Sequence, residues 1–332
     1  MKLSIVISAY NLEYFIDNCL LSCLSQDLEL NKNYEIIVVN DGSKDQTLSH
    51  LKAYGEKIRV ISQENAGVSV ARNNGLQHAK GEYVWFIDGD DYIEENCLNS
   101  ILEILERNKL DILTVDYCEV AEKEDFKVKD KPSFIISDSR VENYGNSTEL
   151  VIWNSIIRRH YLLDHGLQFI RGMKYGEDTV WISLVELFTQ KHLRLKYPIY
   201  KYRMRASSAV HTQNEATQLQ RFKDMQTMQD TWLNAIKYLG NEMTIEKRNQ
   251  IQTRIRWCTS NILLAALQQS KEVRESTLKK LKDNGSYPYK VTWERLSIKD
   301  GYKTFLTTLF TLSFPIELYY KTVSWLFGNR KI

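Results

Sequence analysis

The chain has 332 residues, 43 % of them hydrophobic, which suits one sizeable catalytic domain plus an appended region. Lysine plus arginine (44) nearly balances aspartate plus glutamate (42), and this argues against nucleic acid as a partner. The five cysteines, Cys19, Cys23, Cys97, Cys118 and Cys258, are odd in number and scattered, which excludes a disulfide framework and points to a reducing, cytoplasmic setting.

Leu3 to Ala9 reads as a short apolar strand that Tyr10-Asn11 breaks. It begins at once, without a basic stretch and apolar core, so no signal peptide is expected. Leu12, Phe15, Ile16, Cys19, Leu20, Cys23 and Leu24 recur at helical spacing and predict an amphipathic helix. Tyr34 to Val39 is a second buried strand ending in Asn40-Asp41-Gly42-Ser43, with a helix through Leu48 and Leu51 after it. Ile58 to Ser62 is a third strand, and Glu64-Asn65-Ala66-Gly67 turns into a helix from Val68 to Ala79.

Tyr83 to Ile87 is unbroken and β-prone, the pattern of a strand buried on both faces. It drives into Asp88-Gly89-Asp90-Asp91, with Gly89 expected to supply a tight turn. Three clustered carboxylates repel one another, and a hard divalent cation such as Mg²⁺ or Mn²⁺ removes that cost. A metal–diphosphate site at Asp88, Asp90 and Asp91 is one reading; an acidic turn capping a helix from Glu94 to Arg107 is the other.

Strand and helix alternate through this half, as in a parallel α/β sheet with right-handed crossovers. Ligands of such sheets lie beyond the carboxyl ends of the strands. Asn11, Asp41, Asn65 and Asp88 all fall at those ends, so one crevice would collect them. No Gly-x-Gly-x-x-Gly or Gly-Lys-Ser/Thr is present, which removes the glycine-rich phosphate cradle of dinucleotide and P-loop proteins.

Asp111 to Tyr117 is a further strand, and the charged run Glu119 to Lys131 reads as a solvated hairpin or loop. Val151 to Asp164 reads as a helix opening at Trp153-Asn154. Tyr175-Gly176-Glu177-Asp178 leads into another helix, where acidic residues of a first turn also favour the macrodipole. Tyr197 to Arg205 is strand-like, basic and aromatic, and runs on to His211. Arg203 and Arg205 are candidates to close over phosphates, since the guanidinium fork matches phosphate; His211 and Trp153 are candidates at the same phosphate or acceptor region.

From Glu215 to about Asp283 the spacing is helical with a turn at Gly240-Asn241. Phe305 to Phe327 is dense in Leu, Phe, Tyr and Trp, carries Glu317 and Lys321, and is interrupted by Pro315. That suits an amphipathic tail at a membrane surface rather than a span. The alternative is packing on the preceding helices or on a second subunit of a homo-oligomer. The expected division is a catalytic domain at 1–210, a helical region at 211–300 and the tail at 301–332.

The ordered motifs resemble the family 2 glycosyltransferases, which are inverting enzymes with the GT-A fold. Ser4-Ile5-Val6-Ile7-Ser8-Ala9-Tyr10-Asn11 resembles the family's opening strand, with Ser8-Ala9 where its proline stands. Val38-Val39-Asn40-Asp41-Gly42-Ser43, Asn65-Ala66-Gly67-Val68-Ser69-Val70-Ala71-Arg72-Asn73-Asn74-Gly75, Phe86-Ile87-Asp88-Gly89-Asp90-Asp91 and Tyr175-Gly176-Glu177-Asp178 resemble its later motifs. The resemblance spans roughly residues 1 to 210. It implies a mainly parallel α/β sheet flanked by helices, a nucleotide-diphosphate sugar as donor, commonly a UDP-sugar, and a divalent metal. It implies that Ala9, Asn11 and Asp41 meet the nucleotide, with Asn65, Gly67 and Arg72 supporting it. Asp88 would reach ribose or metal, Asp90 would hold the metal, Asp91 would share either task, and Asp178, rather than Glu177, would be the catalytic base.

Gln252 to Trp257 is similar to the Gln-x-x-Arg-Trp of processive synthases, but one residue too long, so single-sugar transfer is expected. The acceptor is expected to be a saccharide or lipid-linked saccharide of capsule, exopolysaccharide or wall polymer. A glycoside hydrolase also uses two carboxylates but needs no nucleotide. A non-catalytic module would bind the donor without turnover.

Overall fold

A computed structural model describes residues 1–128, 141–143, 151–205, 214–266 and 269–287. The chain divides into two compact units, Met1–Asn214 and Glu215–Ile332.

The first unit opens with strand–helix alternation: β1 (Leu3–Ala9), α1 (Ile16–Leu24), β2 (Tyr34–Asp41), α2 (Thr47–Ala53), β3 (Arg59–Gln63), α3 (Val68–His78) and β4 (Tyr83–Asp88). These four strands are mutually parallel. There follow β5 (Tyr92–Ile93), α4 (Leu98–Arg107), β6 (Ile112–Ala121), β7 (Val141–Asn143), β8 (Ser155–Arg158), α5 (Arg159–Asp164), α6 (Glu177–Phe188) and β9 (His192–Met204). All join one mixed sheet of order β3-β2-β1-β4-β8-β6-β9-β5, with β7 also on β9.

The central strands are mostly apolar on both faces because both faces are covered, and the buried Ser4 on β1 donates to Glu35 on β2 at 2.6 Å. On β1, Ile5 and Ile7 pack with Ile16 and Leu20 of α1, while Val6 packs with Ala71 and Leu76 of α3 and Trp181 of α6. Each such side chain contributes about 1.5–3 kcal/mol by leaving water. The α3–β1 approach is close at Gly75, where an added Cβ would stand 2.3 Å from Val6 Cγ1.

Two local expectations are corrected and one is refined. The segment Val151 to Asp164 is not one helix: Ser155–Arg158 forms β8, inserted antiparallel between β4 and β6, before α5 begins. Ile156 and Ile157 are β-branched and point to opposite apolar clusters, which a strand permits and one helix face does not. The helix expected from Glu94 starts at Leu98, because Tyr92–Ile93 is drawn into the sheet beside β9. The tight turn expected at Gly89 is present, with the Asp91 amide donating to the Asp88 carbonyl at 3.0 Å, but the reason for glycine is room rather than a positive φ, since a Cβ there would meet Leu12 Cδ1 at 2.8 Å and the Ser8 carbonyl at 3.1 Å.

The second unit contains α7 (Glu215–Leu239), a 3₁₀ turn at Gly240–Glu242, α8 (Ile245–Ala266) and α9 (Lys271–Asp283). Phe222, Met228 and Trp232 of α7 and Cys258 and Ile262 of α8 are buried, and Gln229 Nε2 donates to Thr259 Oγ1 at 2.6 Å between these helices. Among the described residues no helix is long and apolar enough to cross a membrane. The tail at 301–332 lies outside the described residues.

Candidate functional site

The register of the parallel strands brings their carboxyl ends to one edge. Ser8 is level with both Val39 and Asp88, and Ala9 is level with Asn40. Ala9, Asp41 and Asp88 therefore end side by side, and the turns that follow carry Asn11, Asn65 and Asp90.

Asp88 Oδ1 accepts from Arg72 Nη2 at 2.8 Å, and Arg72 Nη1 donates to Glu177 Oε1 at 3.1 Å. Arg72 is 5 % exposed and lies over the Phe169 ring. A guanidinium on α3 thus joins the end of β4 to the start of α6, although Arg72 and Glu177 are 105 residues apart in sequence. Burial pushes the Glu177 carboxyl up to about 7, against the pull of Arg72. Asp178 is partly buried, and its Oδ1 accepts from the Thr179 amide at 2.7 Å within the first turn of α6. Gly176 enters that helix at φ +75, a left-handed conformation that favours glycine.

Asp90 Oδ2 accepts from Arg205 Nη1 at 2.7 Å. Burial first, and the Asp88 charge second, raise the Asp90 carboxyl above its usual range. Asp91 does not face the crevice as a metal ligand would. It is 2 % exposed, and its oxygens are engaged by the Tyr200 hydroxyl at 2.6 Å and the Arg203 amide at 2.7 Å. Burial, with Asp90 and Asp88 nearby, pushes it up to about 8. It anchors the turn to β9.

Among the described residues no three His, Cys, Asp or Glu side chains form a ready metal cluster. The donor set still fits a hard divalent ion. Asp88 and Asp90 offer carboxylate oxygens, their side chains are 30 % and 25 % exposed, and their mutual repulsion is of the kind a cation relieves. Mg²⁺ asks for no more than one or two carboxylates when phosphates complete its shell.

On the other side, Asp41 is 3 % exposed, and its carboxylate accepts from Gln63 Nε2, Ala66 N and Gly67 N at 2.8, 2.8 and 2.9 Å. Asn65 Nδ2 donates to the Asp41 carbonyl at 3.0 Å. Asp41 thus shapes the loop between β3 and α3, and one of about four acceptor positions remains for a ligand. Asn11 sits at φ +54, and its Oδ1 accepts from the Lys44 amide at 2.8 Å, tying the first two turns together.

Arg203 is not a free phosphate clamp. It is 3 % exposed, its Nε donates to the Asp90 carbonyl, its Nη1 to the carbonyls of Glu122 and Glu124, and its guanidinium lies over the Phe15 and Tyr92 rings. It fastens the segment after β6 to the acidic turn. Trp153 lies at the far side of the turn, stacked on Tyr200 and Tyr202. His211 lies outside the described residues.

Sequence reasoning missed Tyr200. Its hydroxyl donates to Asp91 Oδ2 and accepts from the Asp88 amide at 3.2 Å, so it fixes both ends of the acidic turn. The signal was the alternation Tyr200, Tyr202 along a strand, which gives a shared face but no partner.

Residues 4–166 match the family model described as Glycosyl transferase family 2. The glycosyltransferase GlyA of Streptococcus pneumoniae is 32 % identical over 222 residues, covering 62 % of this chain and 31 % of that protein. The putative glycosyltransferase EpsH of Bacillus subtilis is 30 % identical over 217 residues, covering 62 % of each. The chain spans between 31 % and 62 % of the length of these relatives. Among solved structures, S. aureus TarS 1-349 in complex with UDP-GlcNAc is similar with a TM-score of 0.59 and 19 % identity, over 91 % of this chain and 95 % of that one. The architecture is that of the GT-A fold.

Proposed function

Because residues 4–166 match the glycosyl transferase family 2 model, we propose that the chain is an inverting glycosyltransferase of that family. It moves a single sugar from a nucleotide-diphosphate sugar, a UDP-sugar in preference, to a glycan or lipid-linked acceptor of a cell-surface polysaccharide. The observation that carries this reading is the Arg72 bridge. It ties a strand-end carboxylate, Asp88, to Glu177 in the first turn of α6, the residue next to Asp178. The UDP-GlcNAc complex of the similar TarS fold supports the choice of donor.

In this reading Asp41, Asn11, Ala9 and the Asn65–Gly67 loop hold the nucleotide. Asp88 and Asp90 hold a divalent ion, Mn²⁺ or Mg²⁺, which when bound offsets the charge that develops on the leaving diphosphate. Arg205, already beside Asp90, supplies a second positive charge to the same phosphates. Asp178 takes the proton of the acceptor hydroxyl as it attacks the anomeric carbon, and direct attack inverts that carbon. Glu177 is the poorer base, because its Oε1 accepts from Arg72.

Purified protein is incubated with UDP-, GDP- and dTDP-sugars in Mn²⁺ or EDTA and scored for nucleotide release. Metal-dependent release of one nucleotide supports the reading, and binding without release would favour a non-catalytic module. A place on the inner face of the cell membrane goes with it, motivated by the basic, aromatic stretch at 301–332. Salt-sensitive pelleting with anionic liposomes, compared with a chain ending at Asp300, tests that part.

A further inference from the structure

The sheet order separates the crevice into two sides. Asp41 and the Asn65–Gly67 loop lie at the ends of β2 and β3, whereas β8, β6 and β9 lie beyond β4 on the opposite side of Asp88. Four aromatic rings gather on that opposite side. Trp153 stacks on Tyr200 with ring centroids 4.6 Å apart and on Tyr202 at 5.3 Å, and Tyr117 meets Trp153 edge-on at 4.9 Å. Tyr117 is level with Tyr200 in the parallel β6–β9 pair, and Glu119 is level with Tyr202, so all four belong to one face of the sheet.

The cluster starts at the acidic turn and ends in solvent. Tyr200 is bonded to both Asp91 and the Asp88 amide. Tyr202 follows Tyr200 on the same face of β9 and precedes Arg203, whose amide donates to Asp91 Oδ1 at 2.7 Å. Tyr200 is fully buried and is accounted for by packing. Tyr117 is 41 % exposed and Glu119 is exposed, and packing does not account for an open ring at the outer end of a stack.

We propose that Tyr117, Trp153 and Tyr202 form a stacking subsite for a pyranose ring of the acceptor saccharide. The proposal rests on the glycosyltransferase reading and extends it to the acceptor. A pyranose has a face of C–H groups and a rim of hydroxyls. The rings match the former, and the Glu119 carboxylate with the tyrosine hydroxyls matches the latter. A nucleobase also stacks, but the hydrogen-bonding groups that suit it, Asp41 and Asn65, lie across β4, and in the proposed reading the diphosphate is assigned to the turn between. The side carrying the rings is left to the acceptor, whose next sugar then stands at the carboxylates.

The test is an NMR titration of the full chain with UDP and Mn²⁺ present, using linear oligosaccharides of glucose, N-acetylglucosamine, galactose and mannose. At least one binds the wild type, Tyr117→Ala weakens it about tenfold, equivalent to about 1.4 kcal/mol, and Tyr117→Phe restores it. Tyr202→Ala weakens it as well. The thermal shift caused by UDP is retained in each variant and reports on fold and nucleotide pocket. Absence of binding by every saccharide, or equal affinity in both alanine variants, overturns the subsite. The two failures separate, because a wild type that UDP does not shift counts against the glycosyltransferase reading, whereas saccharide affinity alone reads the subsite.

Discussion

Replacing Arg72 by methionine keeps most of the volume on α3 and removes the charge that Asp88 and Glu177 share. The two contacts are 2.8 and 3.1 Å, and the guanidinium is almost wholly out of water. Removing one partner of a buried pair costs about 3–5 kcal/mol, because the charge left behind has lost its water and its counter-ion. Two features place this site at the lower end. Asp88 is 30 % exposed, so solvent screens it, and Glu177 already titrates near about 7, so it can take up a proton instead of remaining charged. The expected loss is about 3 kcal/mol at about pH 8.5, which for a domain of this size lowers the melting temperature by about 6–12 °C. The sign with pH follows from Glu177. Its folded pKa lies above the ordinary value and rises further without Arg72, so its favourable contribution is present at low pH and lost as pH rises through that pKa. The gap between variant and wild type therefore shrinks on going to about pH 5.5. Calorimetric melts in EDTA at both pH values measure it. A variant that melts within about 2 °C of wild type at the higher pH would refute the view that this bridge holds the crevice together.

Asp91→Asn removes a carboxyl that burial holds up at about 8 against an ordinary 3.8. Since the raised group contributes stability below the ordinary value and loses it as pH rises through about 8, the wild-type melting temperature falls across that window and the asparagine variant shows a flatter profile. Asp178→Asn retains the thermal shift caused by UDP while sugar transfer falls by about 10²–10⁴-fold; equal loss of both would move Asp178 out of the base role. Gly75→Ala places a methyl 2.3 Å from Val6 Cγ1 and costs about 1–3 kcal/mol by overpacking, which the second change Val6→Ala partly restores; denaturant unfolding of the single and double variants reads this.

Much of the frame was written in local pattern. Apolar runs of strand length, each closed by a polar turn at Asn11, Asp41, Asn65 or Asp88, determined a parallel sheet and the edge at which its crevice lies, because period and turn chemistry act over a few residues. The acidic character of the corner after Ile87 was equally plain. Tertiary structure alone decided how the three carboxylates divide, since that depends on what approaches from elsewhere. Tyr200 and the Arg203 amide, more than 100 residues downstream, claim Asp91 for the scaffold, while Asp88 and Asp90 keep partial exposure beside Arg72 and Arg205. The strand at Ser155–Arg158 belongs to the same class: its residues tolerate either conformation, and the open slot between β4 and β6 chose one.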